Sequence, residues 1–167
     1  GGNIKHSDHH TDQDAELFLS RIEWSINSFP INKLEIFDGF QKIANKINAN
    51  FTINYSDEIP NVAIFVSKQN HCLIDLLWRV QNGELKMKVP LIISNHPDLK
   101  NIANYFKAEY IHIDTSKMSN IELDKNILNL LKKYNIKLVV LAKYMQILSD
   151  SFLNKFSSVI NIHHSFL

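Results

Sequence analysis

From residue 61 onward, short continuous apolar runs alternate with segments of helical periodicity. VAIFV (62–66), VPLIIS (89–94), YIHI (110–113), KLVVL (137–141) and SVINI (158–162) read as strands. Between the first two, Asn70 is placed to cap a helix with Leu73, Leu76, Leu77 and Val80 on one face, and Asp75 and Arg79 form an i,i+4 pair. Pro97 suits the first turn of the next helix, followed by Leu99, Ile102, Ala103 and Phe106. Ser119 and Glu122 make an S-x-x-E capping box for a helix to about Tyr134. Residues 148–156 read as a short helix. Strands that are apolar throughout, separated by helices, predict a parallel sheet covered on both faces, hence an α/β fold.

The front of the chain has another pattern. Residues 1–58 read as strand, strand, helix. Residues 15–24 (AELFLSRIEW) alternate in part and carry Leu17, Leu19 and Ile22. Asn32 suits the N-cap of a helix to about Ala49, with Ile36, Phe37, Phe40, Ile43, Ala44 and Ile47 at helical spacing. SDEIP (56–60) then reads as a linker.

Composition narrows the function classes. A 45% apolar and 21% charged chain of 167 residues is that of a globular protein. A net charge of +1 argues against nucleic acid or an acidic membrane as partner. The apolar runs are far too short to span a bilayer. The start GGNIKHSDHHTDQD has no apolar core of a secretory leader, and Cys72 is the only cysteine. A cytoplasmic location is therefore expected. The four glycines form neither G-x-G-x-x-G nor a Walker loop, so a dinucleotide site or P-loop is not expected.

In a parallel sheet, ligands bind outside the carboxyl ends of the strands. The residues to inspect are thus Ser67 and Lys68, Asn95 and His96, residues 112–115, 143–148 and 161–165. Three of these five exits carry a histidine. In the last, Asn161 and His163 are two apart, and an extended segment would point both to one side. Histidine moves protons near neutral pH, and an asparagine amide donates to an oxygen gaining negative charge. The pair suits attack on a carbonyl carbon. Spacing alone leaves open that the two residues merely close hydrogen bonds at a sheet edge.

Other clusters carry less. His6, Asp8, His9, His10 and Asp12 could suggest a metal site, but a polar strand end and turn is the expected reading, so no metal ligand is assigned. Lys68 and His71 beside Asn70 could bind an anion at a helix start, yet a solvated turn is expected there. Cys72 near that start is read as packing. Phe65 and Trp78 fall at core spacing, which argues against a stacking surface for bases.

Four ordered blocks are more specific than any one of them: VSKQNHCLIDLLWRVQNGEL, VPLIISNHPDL, VVLAKYMQILS and VINIHHSFL. Together they closely resemble the formyltetrahydrofolate deformylase family. GGNIKHSDHHTD followed by LFLSRIEW resembles the later part of that family's ACT regulatory domain. The resemblance implies a Rossmann-like parallel sheet (the formyltransferase fold) preceded by a partial ACT-like, ferredoxin-like α+β domain. The division would be 1–58 for the ACT-like part and 61–167 for the N-terminal part of the catalytic domain.

The implied reaction is hydrolysis of 10-formyltetrahydrofolate to tetrahydrofolate and formate, supplying formate for purine biosynthesis and balancing one-carbon pools. The folate is substrate, and no cofactor is implied. Carried over by position, Asn161 polarises the formyl oxygen and His163 is the acid/base partner, with His164 beside it. Lys143, Tyr144, Met145, Gln146, Ile147 and Leu148 would form the folate cleft, with Asn95 and His96 at the neighbouring exit. Backbone groups around Met145, Gln146 and Leu148 would hydrogen-bond the pterin. Amine-transferring relatives usually have proline after the motif histidine. His164 stands there in this chain, which favours water as acceptor.

Relatives continue for several dozen residues past the motif, through an aspartate that orients the histidine. This sequence has no counterpart of it, and its ACT-like part lacks the first strand and helix, so a chain truncated at both ends, inactive alone, is expected. Phosphoribosylglycinamide formyltransferase chemistry and a non-catalytic, oligomerising remnant stay as alternatives. A homo-oligomer is expected, with a small amino acid as effector at the ACT-like part.

Overall fold

The computed structural model describes residues 2–26, 30–114 and 118–162 of the chain. Two compact units emerge, residues 1–55 and 56–167.

The first unit holds strands β1 (Asn3–Asp12) and β2 (Leu17–Ser25) and helix α1 (Lys33–Ile47). The strands pair antiparallel, from Asn3 opposite Ser25 to Asp12 opposite Leu17. β2 starts two residues later than the alternation suggests. Asp12 Oδ1 accepts the Ala15 N–H at 2.9 Å, and Glu16 takes a left-handed φ of 52°, so Ala15 and Glu16 belong to the turn. Asn32 caps α1 as expected, accepting the Leu34 and Glu35 N–H groups while Glu35 reaches back to the Asn32 N–H. The helix ends at Asn48, which adopts φ 51°. Only Ile36 and Ala44 of its apolar stripe are buried, whereas Phe37, Ile43 and Ile47 stay exposed.

The second unit is the α/β part. Five strands, β3 (Asn61–Val66), β4 (Lys88–Ser94), β5 (Glu109–His112), β6 (Ile136–Ala142) and β7 (Val159–Ile162), form one parallel sheet in the order β5-β4-β3-β6-β7. Helices α2 (His71–Gln81), α3 (Lys100–Tyr105), α4 (Asn120–Lys133) and α5 (Asp150–Lys155) connect them. Two apolar cores result because each central strand is apolar on both faces. Ala63, Phe65, Val139 and Leu141 pack with Ile127 and Leu131 of α4 and Phe152 of α5. Ile64, Val66 and Ile92 pack with Leu73 and Leu77 of α2 and Ala103 of α3. This is the sheet covered on both faces that the continuous apolar runs predict.

Three local expectations are corrected. Asn70 stands at the N-cap of α2, but its αR backbone leaves the side chain without a capping bond. Pro97 precedes α3 rather than sitting in its first turn. The His96 N–H donates to Ser94 Oγ at 3.1 Å, and Tyr110 donates to the His96 carbonyl, which holds the segment in a bend until Lys100. Trp78 is 53% exposed and lies outside the core that Phe65 occupies. The capping box of Ser119 and Glu122 is present, and it holds the Glu122 carboxyl below its ordinary range through the bonds from Ser119.

Candidate active site

Strand order fixes where a ligand can sit. The chain builds β3, β4 and β5 outward in one direction, then returns to place β6 on the other side of β3. The carboxyl ends of β3 and β6 therefore flank the topological switch point, the usual ligand crevice of such sheets. Val66 is level with Ser94 of β4 and with Ala142 of β6. Ser67, Asn95 and Lys143 thus leave the sheet side by side.

Beside that point lies a cleft of about 550 Å³ between the exit of β6, α5 and β7. Lys143, Tyr144, Met145, Gln146, Ile147 and Leu148 line it, as does Asn161 from β7. Asn161 is exposed and stands level with Leu141. The sequence-predicted cleft segment 143–148 and one member of the predicted catalytic set, Asn161, thus meet around one space of ordinary small-molecule size. His163 and His164 lie outside the described residues. Asn95 and His96 are not among the residues lining the cleft. His112 ends β5, at the opposite edge of the sheet from β7.

The wall of the cleft is held in several ways. Lys143 adopts φ 55°, a left-handed conformation uncommon for a residue with a side chain, and its ammonium donates to Gln69 Oε1 at 2.8 Å. The Met145 N–H donates to Ser67 Oγ at 2.9 Å, and the Ser67 hydroxyl donates to Asn95 Oδ1 at 2.8 Å. At the far end, Ser149 caps α5 by accepting the Phe152 N–H at 3.0 Å, and its hydroxyl donates to the carboxylate of Asp124. Among the described residues, no backbone hydrogen bond engages the N–H or C=O groups of Gln146, Ile147 or Leu148. Backbone polar groups left open at a cleft are offered to a ligand or to water.

Asp124 was not singled out from the sequence, and Ser67 was marked there only as a strand-exit residue to inspect, with no role given to it. For Asp124 a signal exists: it falls on the α4 stripe of Ile127 and Leu131, where a polar residue needs a partner. For Ser67 the strand exit is the signal, but its partners are not legible, because they are 28 and 78 residues away.

Tyr144 packs edge-on to Phe65 with ring centroids 5.4 Å apart, and burial pushes its phenol up to about 12. The unfolded phenol titrates near ~10, so the folded chain holds this proton more tightly across the interval between the two values. Stability linked to Tyr144 is full below about pH 10 and falls as pH rises through about 12. Tyr144→Phe is expected to flatten that alkaline loss in urea unfolding series. An unchanged slope between pH ~10 and ~12 would contradict the assignment.

The other clusters stand apart from this site. His6 and Asp8 pair at 2.7 Å on the exposed face of β1. Among the described residues no group of His, Cys, Asp and Glu is arranged to hold a metal ion, and no helix is long and apolar enough to cross a membrane. A second concavity, of about 470 Å³, lies within the first unit between β2, α1 and residues 49–53. It is lined by Trp24, Phe40, Ile43 and Phe51 among others and carries no ionisable side chain.

A doubly wound parallel sheet with a cleft beside its switch point defines a small-molecule-binding α/β protein. A family model described as formyl transferase matches residues 60–167, and the chain belongs to that family. A formyltetrahydrofolate deformylase of Synechocystis sp. is 47% identical over 166 residues, covering 99% of this chain and 58% of that protein. The Bacillus subtilis protein of the same name is 34% identical, covering 100% of this chain and 56% of its own length. The chain thus spans a little over half the length of these curated relatives. The crystal structure of a formyltetrahydrofolate deformylase from Pseudomonas syringae pv. tomato is similar with a TM-score of 0.91 at 31% identity, over 99% of this chain and 56% of that one. Glycinamide ribonucleotide transformylase 1 from Symbiobacterium toebii, at 23% identity and a TM-score of 0.62 over 70% of this chain and 57% of that one, shares the fold.

Proposed function

We propose that this chain is the folate-gripping portion of a formyltetrahydrofolate deformylase, which hydrolyses 10-formyltetrahydrofolate to tetrahydrofolate and formate. The observation that carries the reading is one cleft lined both by residues 146–148, whose backbone groups make no backbone hydrogen bond among the described residues, and by Asn161. A flat pterin edge presents alternating donors and acceptors, and unpaired N–H and C=O groups on a fixed segment match such an edge. The apolar side chains of Met145, Ile147 and Leu148 supply surface for its rings.

The chemistry follows from the groups available. A water oxygen bonds to the formyl carbon, and the carbonyl oxygen takes up negative charge. The Asn161 amide donates to that oxygen, an interaction that strengthens as charge develops. His163 takes the proton from water and delivers one to N10 as the carbon–nitrogen bond breaks, with His164 in a secondary role. Formate leaves and tetrahydrofolate remains. Asn95 and His96 stand at the neighbouring strand exit, outside the cleft lining, and take no direct part in these steps.

Coverage favours hydrolysis over transfer to an amine. The deformylase structure is similar across both units, whereas the transformylase likeness covers 70% of the chain. The test is formate release from 10-formyltetrahydrofolate by the intact enzyme, with tetrahydrofolate formed in equal amount. Formyl loss that occurs only when glycinamide ribonucleotide is added would overturn the reading.

The same reading includes a homo-oligomer built through the first unit, with a small amino acid as effector there. Exposed Phe18, Leu34, Phe37 and Ile47 support it, because so much apolar surface on one unit calls for cover. A monodisperse monomer by light scattering at micromolar concentration would contradict the pairing.

A further inference from the structure

We propose that Ser67, fixed by Asn95, is a positioning residue that sets the backbone of the cleft segment 143–148 for the folate ring. The inference deepens the deformylase reading and rests on it. Ser67 directly follows β3 and is 5% exposed. Its hydroxyl sits between two other strand exits: it accepts the Met145 N–H at 2.9 Å and donates to Asn95 Oδ1 at 2.8 Å.

The polarity of this relay is determined. A backbone N–H only donates, so Ser67 Oγ must accept from Met145. The hydroxyl proton must then point elsewhere, and the Asn95 carbonyl oxygen receives it. Asn95 therefore locks the serine rotor with its lone pair toward Met145. Neither Ser67 nor Asn95 lines the cleft, so both act through Met145.

The segment needs such a constraint. It opens with Lys143 in a left-handed conformation that a side-chain-bearing residue does not favour. Left alone, that turn would relax to other geometries. The relay at Met145 and the Ser149–Asp124 contact hold the segment at two points, and the open backbone groups of Gln146, Ile147 and Leu148 lie between them. Recognition through backbone groups depends on the path of the chain more than on side-chain identity. A residue that fixes the path thus governs affinity without touching the ligand.

The test uses 5-formyltetrahydrofolate as a non-reacting probe in titration calorimetry, kcat and KM for the intact enzyme, and hydrogen exchange at the Met145 amide. Ser67→Ala removes the acceptor. It is expected to weaken probe binding and raise KM by about 10-fold, the worth of one hydrogen bond, with a smaller change in kcat. Met145 exchange should quicken while the melting temperature shows a folded protein. Asn95→Leu should reproduce this loss, and the double variant should be no worse than either single one. Asn95→Asp keeps the acceptor for the Ser67 proton and should retain most affinity, as should Ser67→Thr. Unchanged Met145 exchange in Ser67→Ala, or quickened exchange with wild-type affinity, would overturn the proposal. Wild-type protein with a protected Met145 amide and no affinity for the probe would overturn the folate reading itself, and the ligand role of the relay with it. The amide signal separates the two failures.

Discussion

His163→Ala in the active enzyme is expected to lower turnover by about 10²–10⁴-fold, the usual worth of general acid–base catalysis. His164→Ala is expected to cost less. The expectation rests on position in sequence: His163 follows Asn161 by two residues, and Asn161 borders the cleft. Hydrolysis needs a group that takes a proton from water and returns one to the departing nitrogen, and an imidazole does both near neutral pH. Among the described cleft-lining residues the ionisable side chains are Lys143 and Tyr144. Tyr144 stays protonated up to about pH 12, so it is no base at neutral pH. Steady-state formate release by the two variants decides the matter. Equal losses, or a larger loss for His164→Ala, would move the proton-transfer role to His164.

Asn161→Asp is the second large effect. It replaces a donor by a carboxylate facing an oxygen that gains negative charge. The loss should fall on kcat, by about 10²–10³-fold, the range seen when one oxyanion donor is removed. KM should change little, because the interaction strengthens on the way to the transition state. Asn161 is exposed on β7, so the melting temperature should stay near that of the wild type. A variant with unchanged kcat and weakened folate binding would make Asn161 a substrate-positioning residue instead.

How much of this was legible depends on how local the signal is. The capping boxes at Asn32 and Ser119 involve residues three apart, and both are present. Asn70 has the same residue type in the same place and does not cap, because its backbone is αR rather than extended. Pro97 fails as a helix start for a less local reason, since Tyr110 holds the His96 carbonyl from β5. The α1 stripe is correctly periodic, yet periodicity says which residues share a face and not what covers it, and Phe37 and Ile47 remain exposed. Among the site residues, the cleft segment 143–148 and Asn161 stand at strand exits that the apolar runs already mark. Ser67 and Asp124 gain their roles only through partners on other elements.

The sequence by itself determined that strands apolar on both faces alternate with amphipathic helices, and therefore that a parallel sheet buried on two sides would carry its chemistry at the carboxyl ends. It also determined the family, through four blocks whose spacing survives whatever the strands do in space. Only the tertiary structure decided which strand lies beside which. VAIFV, PLIIS and KLVVL are interchangeable as buried strands, because each presents a hydrophobic surface to either side and no side-chain pattern names its neighbour. The order β5-β4-β3-β6-β7 is what brings the ends of β3, β4 and β6 together and sends His112 to the far edge. The hydroxyl of Ser67 reaches an amide 78 residues away for that reason alone, since hydrogen bonds act over about 3 Å of space and take no account of distance along the chain.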